Sequence, residues 1–127
     1  MRGSHVATGA GLFISAEPGP VFAYLHEPTG ALSGTAVLLL PPFGFSDVCS
    51  YRSRRNWADA LASRGIPTVR TDLPGTGDSA GRPRDPQRLE AWTSAAGEIA
   101  AWLRQRTGCP RIVAFGIGLG GLVALGV

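Results

Sequence analysis

Closely spaced glycines after a short apolar segment are the feature of this chain that points to chemistry: residues 111–122 read RIVAFGIGLGGL. In the G-x-S-x-G pattern, a strained turn from a strand into a helix presents a serine hydroxyl that can attack a carbonyl carbon. The flanking glycines keep side chains out of this tight turn. Here Gly118 occupies the serine position, between Gly116 and Gly120, and we call residues 116–121 the elbow. Because glycine has no oxygen, the sequence predicts an elbow without its nucleophile.

The other members of a serine mechanism are also missing from the sequence pattern. The acid and the histidine follow the serine in such a mechanism, so they are expected beyond residue 121, and the chain ends at Val127. His5 and His26 come far too early to serve as the base. We predict no metal ligands and no cofactor. Three serines in predicted loops have no identifiable base: Ser46, Ser50 and Ser79.

The strands that must position the elbow are indicated by short runs of branched and aromatic residues. Residues 12–15 and 21–26 are two such runs, and the intervening residues 17–20, with the sequence EPGP, predict an antiparallel hairpin. Residues 35–40 (TAVLLL) are apolar on both faces, which is typical of a central strand in a parallel sheet. A further strand is predicted over residues 66–72.

Two helices are predicted between the parallel strands. In the first, Trp57 and Leu61, with Tyr51 and Val48, recur at helical spacing, and Gly65 ends the helix. The alternation of strands and helices predicts right-handed crossovers and a parallel sheet covered on both faces. The second helix has an apolar stripe made of Leu89, Trp92, Ala96, Ile99 and Leu103.

Three motifs in this order resemble the N-terminal half of the α/β-hydrolase fold: residues 39–45 (LLPPFGF), residues 72–79 (DLPGTGDS) and the elbow. The resemblance implies a partial α/β-hydrolase fold, in which the hairpin is followed by three parallel strands with crossover helices. It also implies an oxyanion hole built from backbone amides. Residue by residue, those donors would be Leu119 and either Phe43 or Gly44, with Gly116, Gly120 and Gly121 forming the rest of the turn.

The same motifs imply a hydrolase lineage of the esterase, acyl-hydrolase or serine-peptidase type. We expect this chain to be catalytically inactive, because Gly118 replaces the serine and the acid and histidine are missing. The Pro-Pro-Phe sequence after residue 40, the arginine-rich helix and the serine-free elbow look closest to the hydrolase-like proteins that accompany bacterial exosortase systems. Residues 12–127 are predicted to form the N-terminal portion of the domain, truncated after the elbow, and residues 1–11 a flexible leader that resembles an expression tag at its start.

Composition and charge narrow the classes of partner. The net charge is +3, and the one dense basic cluster, formed by Arg52, Arg54 and Arg55, is interpreted as a solvated helix face, so no nucleic-acid partner is predicted. Cys49 and Cys109 are expected to be free thiols. No apolar run approaches the roughly 20 residues of a membrane span, and no secretion signal is present, so we predict no membrane association and a cytoplasmic location.

Two alternatives to a hydrolase remain open from the sequence. The first is a non-enzymatic module on the same fold that binds a small acyl or carboxylate ligand, or another protein. The second is a dinucleotide-binding fragment in which Gly116, Gly118 and Gly121 form a G-x-G-x-x-G motif after a strand. The strand over residues 111–115 is also expected to have one bare edge, which favours self-association.

Overall fold

The computed structural model describes residues 9–16, 19–42, 45–74, 76, 79 and 88–127, with only the backbone described for Phe45, Ser46 and Arg88. Within these ranges the chain forms five strands and three helices. In chain order they are β1 (Gly9–Ile14), β2 (Val21–His26), β3 (Thr35–Leu40), α1 (Phe45–Ala62), β4 (Thr68–Thr71), α2 (Arg88–Thr107), β5 (Arg111–Gly116) and α3 (Leu119–Leu125).

All five strands belong to one mixed sheet, in the order β1-β2-β4-β3-β5. Strands β1 and β2 form the predicted antiparallel hairpin, and β2 pairs antiparallel with β4. Strand β3 pairs in parallel with β4 on one side and with β5 on the other, so the predicted central strand is confirmed. The carboxyl ends of β3, β4 and β5 therefore meet at one edge of the sheet, where the elbow lies.

Two apolar clusters cover the faces of the sheet. The larger cluster joins the sheet to α2 and α3, through residues such as Leu38, Trp92, Ile99 and Val123. The smaller cluster, beneath α1, contains Val37, Leu39 and Ala58 as its buried members. Burying apolar surface of this kind stabilises the fold by roughly 25 cal/mol per Å². The predicted stripe of α2 is thus confirmed apart from Leu89, which is exposed.

Strand β1 begins earlier than the apolar run in the sequence indicates. It pairs with the whole of β2, from Gly9 opposite His26 to Ile14 opposite Val21, so residues 9–11 of the predicted leader lie in the sheet. A Cβ atom at Gly9 would overlap the ring of Tyr24 on the neighbouring strand. Glycine is depleted in strands, so a composition pattern misses a strand end whose glycine makes room for an aromatic ring.

The apolar residues that recur at helical spacing in α1 face the core only in part: Leu61 packs against the smaller cluster, whereas the other three are exposed. Val48 is 74% exposed and Trp57 is 45% exposed, with the Trp57 ring packing edge-on against Phe115 of β5. Ala58 is buried, and so is Arg54, at 3% exposure, which contradicts the interpretation of the arginine cluster as wholly solvated. Arg54 tolerates burial because its guanidinium is ion-paired with the Asp47 carboxylate, also bonds the Asp47 carbonyl, and donates to Ser50.

Strand β5 lies at the end of the sheet, and in the part of the chain that the structure describes it pairs with β3 alone. Its side chains Val113 and Phe115 are substantially exposed, as is Leu122 on α3. The predicted bare edge is therefore present among the described residues. No helix in the described ranges is long and apolar enough to cross a membrane.

Candidate functional site

The elbow connects β5 to α3 through two residues, Ile117 and Gly118, and the second has unusual backbone angles. Strand β5 ends at Gly116, helix α3 begins at Leu119, and Gly118 caps the helix with φ 57° and ψ −124°. Residues with a Cβ rarely adopt positive φ, and holding one there costs about 1–3 kcal/mol. The sharp, strained strand-to-helix turn that presents a nucleophile is therefore formed, but its central residue carries no side chain.

Different constraints require glycine at different positions of the elbow. A Cβ at Gly116 would overlap the carbonyl of Gly120, and a Cβ at Gly120 would overlap the carbonyls of Pro41 and Leu40. By contrast, a Cβ at Gly118 would meet only the Pro42 side chain, at an ordinary 3.5 Å. Close backbone packing thus requires the flanking glycines, whereas at Gly118 there is space for a side chain and only the positive φ opposes one.

One of the predicted oxyanion donors can be placed. The amides of Gly120 and Gly121 donate to the carbonyls of Ile117 and Gly118, both at 2.9 Å. The Leu119 amide donates to no acceptor among the described residues, as is common for the first amide of a helix. The other predicted donors, Phe43 and Gly44, lie outside the described residues.

The only histidine in the described ranges lies away from the elbow. His26 is opposite Thr68, which in turn is opposite Val37, whereas the elbow follows Gly116, the partner of Leu40. These pairings separate His26 from the elbow by about 10 Å along the strands and by three strand spacings of about 4.8 Å across them. His26 therefore does not form a catalytic pair with any group at the elbow.

His26 instead forms a buried hydrogen-bonded chain. Arg70 donates its Nε–H to Nε2 of His26 at 2.8 Å, and Nδ1 of His26 lies 2.7 Å from Oδ1 of Asp59. Burial lowers the pKa of His26 below 6.5, and the charges of Arg70 and Arg55 act in the same direction, whereas Asp59 raises the pKa. The arginine can only donate, so the imidazole is neutral with its proton on Nδ1.

The serines and cysteines do not form a nucleophile with a base in the described part of the chain. The Ser79 hydroxyl is buried, accepts the Phe22 amide proton at 2.8 Å and donates to the Asp72 carbonyl, which makes it a structural residue. Ser50 accepts a hydrogen bond from Arg54 on α1. The side chain of Ser46 lies outside the described residues. Both cysteines, Cys49 and Cys109, are free thiols, as predicted.

A second site, which the sequence analysis missed, lies between α1 and the β2–β4 part of the sheet. It is an open cavity of about 430 Å³, and we call it the arginine cleft. The signal available in the sequence was an arginine at position 70, inside the strand predicted over residues 66–72. Among the described residues, no group of three acidic, histidine or cysteine side chains could hold a metal ion. The described residues that line the cleft are Phe22, Tyr24, Tyr51, Arg54, Arg55, Arg70, Thr71 and Asp72.

The elbow lies within the part of the chain that matches a known protein family. The sequence model of the alpha/beta hydrolase family matches residues 37–127, which include β3 and the whole elbow. The chain matches none of the curated proteins with which it was compared.

Solved structures share this fold. An α/β serine hydrolase without a lid from Xanthomonas campestris is 21% identical, with a TM-score of 0.78 over 92% of this chain and 54% of that one. For an esterase from Pyrococcus furiosus the identity is 17% and the TM-score 0.75, over 98% and 46% of the two chains. The Est1E protein from Butyrivibrio proteoclasticus, solved with ferulic acid bound, is 22% identical. Its TM-score is 0.73 over 90% of this chain and 45% of that one. The chain thus has the predicted partial α/β-hydrolase fold and spans about half the length of these relatives.

Proposed function

The chain belongs to the alpha/beta hydrolase family, and we propose that its elbow binds an acyl or carboxylate group without cleaving it. The observation that carries the proposal is the geometry of Gly118, which adopts the strained elbow conformation but has no oxygen. Without that oxygen no acyl-enzyme can form, so the elbow lacks the first step of covalent acyl transfer.

Binding can survive the loss of the serine because the oxyanion donors are backbone groups. In this fold they are the amide after the nucleophile and an amide of the loop after the third strand. In this chain the first would be Leu119, whose amide has no acceptor among the described residues, and the second would be Phe43 or Gly44. Such donors stabilise negative charge on an oxygen.

The class of ligand is suggested by the family and by one of the similar structures. Esterases act on acyl groups, and the Butyrivibrio protein was solved with ferulic acid, a carboxylic acid. A small carboxylate or ester carbonyl is therefore the ligand class that we propose for the elbow.

The narrower resemblance to exosortase-associated proteins and the cytoplasmic location stay predictions. The dinucleotide alternative lacks support in the family match, which assigns residues 116–121 to a hydrolase model.

Ester hydrolysis by matched elbow variants tests this proposal. The wild-type chain, Gly118→Ala and Gly118→Ser would be assayed with short-chain nitrophenyl esters, after circular dichroism has shown that each is folded. We expect no turnover above the Gly118→Ala background in any of them, because the one histidine in the described ranges is bonded to Arg70 and Asp59. Ester cleavage by the wild-type chain above that background would overturn the proposal.

A further inference from the structure

The arginine cleft contains a buried cation whose charge is not directly matched by a carboxylate. Arg70 on β4 is only 8% exposed. The ion pairs among the described residues join Arg54 to Asp47 and Arg106 to Glu27, and neither includes Arg70. Burying a guanidinium is costly unless it is paired and hydrogen-bonded. The guanidinium of Arg70 must therefore be stabilised by groups other than a carboxylate in direct contact.

The hydrogen bonds of Arg70 leave most of its donors unused. Its Nε–H donates to His26, and because His26 is neutral, the Asp59 carboxylate reaches Arg70 only through the imidazole. A guanidinium has five N–H donors in a planar fork. The four donors on the two terminal nitrogens of Arg70 have no protein acceptor in the described part of the chain. Arg70 also lines the cleft.

Two aromatic rings hold this guanidinium in place. Its central carbon lies 5.3 Å from the ring centroid of Tyr24 and 5.1 Å from that of Tyr51. These distances are typical of cation–π contacts, which stabilise a cation by about 0.5–2 kcal/mol. With Nε fixed by His26 as well, the fork of Arg70 is preorganised before any ligand arrives, which lowers the entropy cost of binding.

The charges around the cleft favour an anion. Arg54 is compensated by Asp47, whereas Arg55 is exposed and has no ion-pair partner in the described ranges. Asp72, which has a partner of its own, is the acidic residue among the described residues that line the cleft. Arg55 and Arg70 therefore outweigh Asp72, and the cavity of about 430 Å³ lies within the size range of small-ligand sites.

We propose that the arginine cleft binds a small oxyanion, a carboxylate or a phosphate, through the terminal nitrogens of Arg70 and the side chain of Arg55. The planar fork of an arginine donates two parallel hydrogen bonds to either group. This site lies over β2 and β4, whereas the elbow follows β5, so it goes beyond the proposed function of the elbow.

Calorimetric titration with inorganic phosphate, and separately with benzoate, tests the proposal. Arg55→Gln removes an exposed charge and is expected to fold, and Arg52→Gln is its matched control, since Arg52 is exposed on the same helix and does not line the cleft. At low salt we expect binding that Arg55→Gln weakens at least threefold, Arg70→Gln weakens at least tenfold, and Arg52→Gln leaves unchanged. The tighter of the two probes identifies the oxyanion that the cleft prefers.

Two outcomes would overturn the proposal, even if Arg70→Gln fails to fold. One is that neither probe binds to the wild-type chain. The other is that Arg55→Gln and Arg52→Gln weaken binding equally, which would mean that only net charge matters. Gly118→Ala separates this site from the elbow: binding that persists in that variant and is weakened by Arg55→Gln belongs to the cleft, whereas binding that Gly118→Ala removes belongs to the elbow and tests only the proposed function.

Discussion

The protonation state of one buried residue, His26, is determined by its hydrogen-bond partners. The imidazole is buried between Arg70 and Asp59 and stays neutral, because Arg70 Nε can only donate to it. Protonating His26 would require breaking that hydrogen bond and burying a second positive charge beside Arg70. The stability of the fold should therefore depend on the protonation of this one residue.

The sign of this pH dependence follows from the direction of the pKa shift. The pKa of His26 is lower in the folded chain than its value near 6.5 in the unfolded chain, so the unfolded state binds more protons below pH 6.5. We expect the free energy of unfolding contributed by His26 to fall as the pH drops below 6.5, and to level off below the folded pKa. Urea unfolding between pH 8 and pH 5 measures this effect.

His26→Gln is the matched variant for that experiment, since an amide can donate and accept hydrogen bonds without titrating in this range. Its free energy of unfolding should decline less than that of the wild type between pH 7 and pH 5. Equal declines in the two proteins would show that other groups cause the acid sensitivity.

At the scale of elements, the elbow shows how backbone packing fixes a turn. Gly116 and Gly121 both belong to this turn, but they differ in the space around them. A Cβ atom added at Gly116 would overlap the Gly120 carbonyl. At Gly121 an added Cβ would lie 3.6 Å from the Gly116 carbonyl oxygen, an ordinary contact. The two positions therefore form a matched pair for the same substitution.

We predict opposite effects of alanine at these two positions. Gly116→Ala should destabilise the fold by about 1–3 kcal/mol, as overpacking commonly does. Gly121→Ala, inside the first turn of α3, should be neutral or stabilising by up to about 1 kcal/mol, because alanine favours a helix over glycine. Midpoints of urea unfolding measure both, and equal losses would contradict the described packing of the turn.

How far the sequence predicts the elements depends on whether local pattern or tertiary contact determines them. The bounds of β2 and β3 follow directly from their runs of apolar residues, and the hairpin follows from the EPGP turn. The buried face of α1 could not be predicted from its apolar residues. Arg54 is buried because it forms an ion pair with Asp47, and Trp57 packs against Phe115 on the edge strand β5. Helical spacing shows which apolar residues share one face of a helix. It does not show which polar residues are buried because they form ion pairs or hydrogen bonds.

The same reasoning explains what could be predicted of the sites. The elbow is a local motif, so Gly118 and its neighbours were recognisable from the sequence alone. The arginine cleft is assembled from β2 and β4, which pair antiparallel, and from α1, which covers them. Arg70 and Tyr24 are register partners in that pairing, which no sequence spacing indicates.

At the scale of the whole molecule, the open edge of β5 is the feature with consequences in solution. An unpaired strand edge is a template for pairing with another chain. Among the described residues β5 has one neighbour, and its side chains Val113 and Phe115 are exposed. We therefore expect the chain to self-associate in a concentration-dependent manner, as the sequence predicts.

Sedimentation velocity over a range of concentrations measures that association. Val113→Lys places a charge on the exposed face of β5 and should shift the distribution toward monomer, because charged residues discourage pairing of edge strands. Val48→Lys is the control, since Val48 is still more exposed but lies on α1. A wild-type chain that stays monomeric at every concentration would contradict the expected association.

Whether this chain has a hydrolase elbow without a nucleophile is measured by intact-mass analysis after treatment with a fluorophosphonate, which labels activated serines. We expect no increase in mass for the folded chain, because the elbow has Gly118 in place of serine and the Ser79 hydroxyl is hydrogen-bonded to Phe22 and Asp72. A stoichiometric adduct on any serine would contradict the claim and would identify the nucleophile by its position.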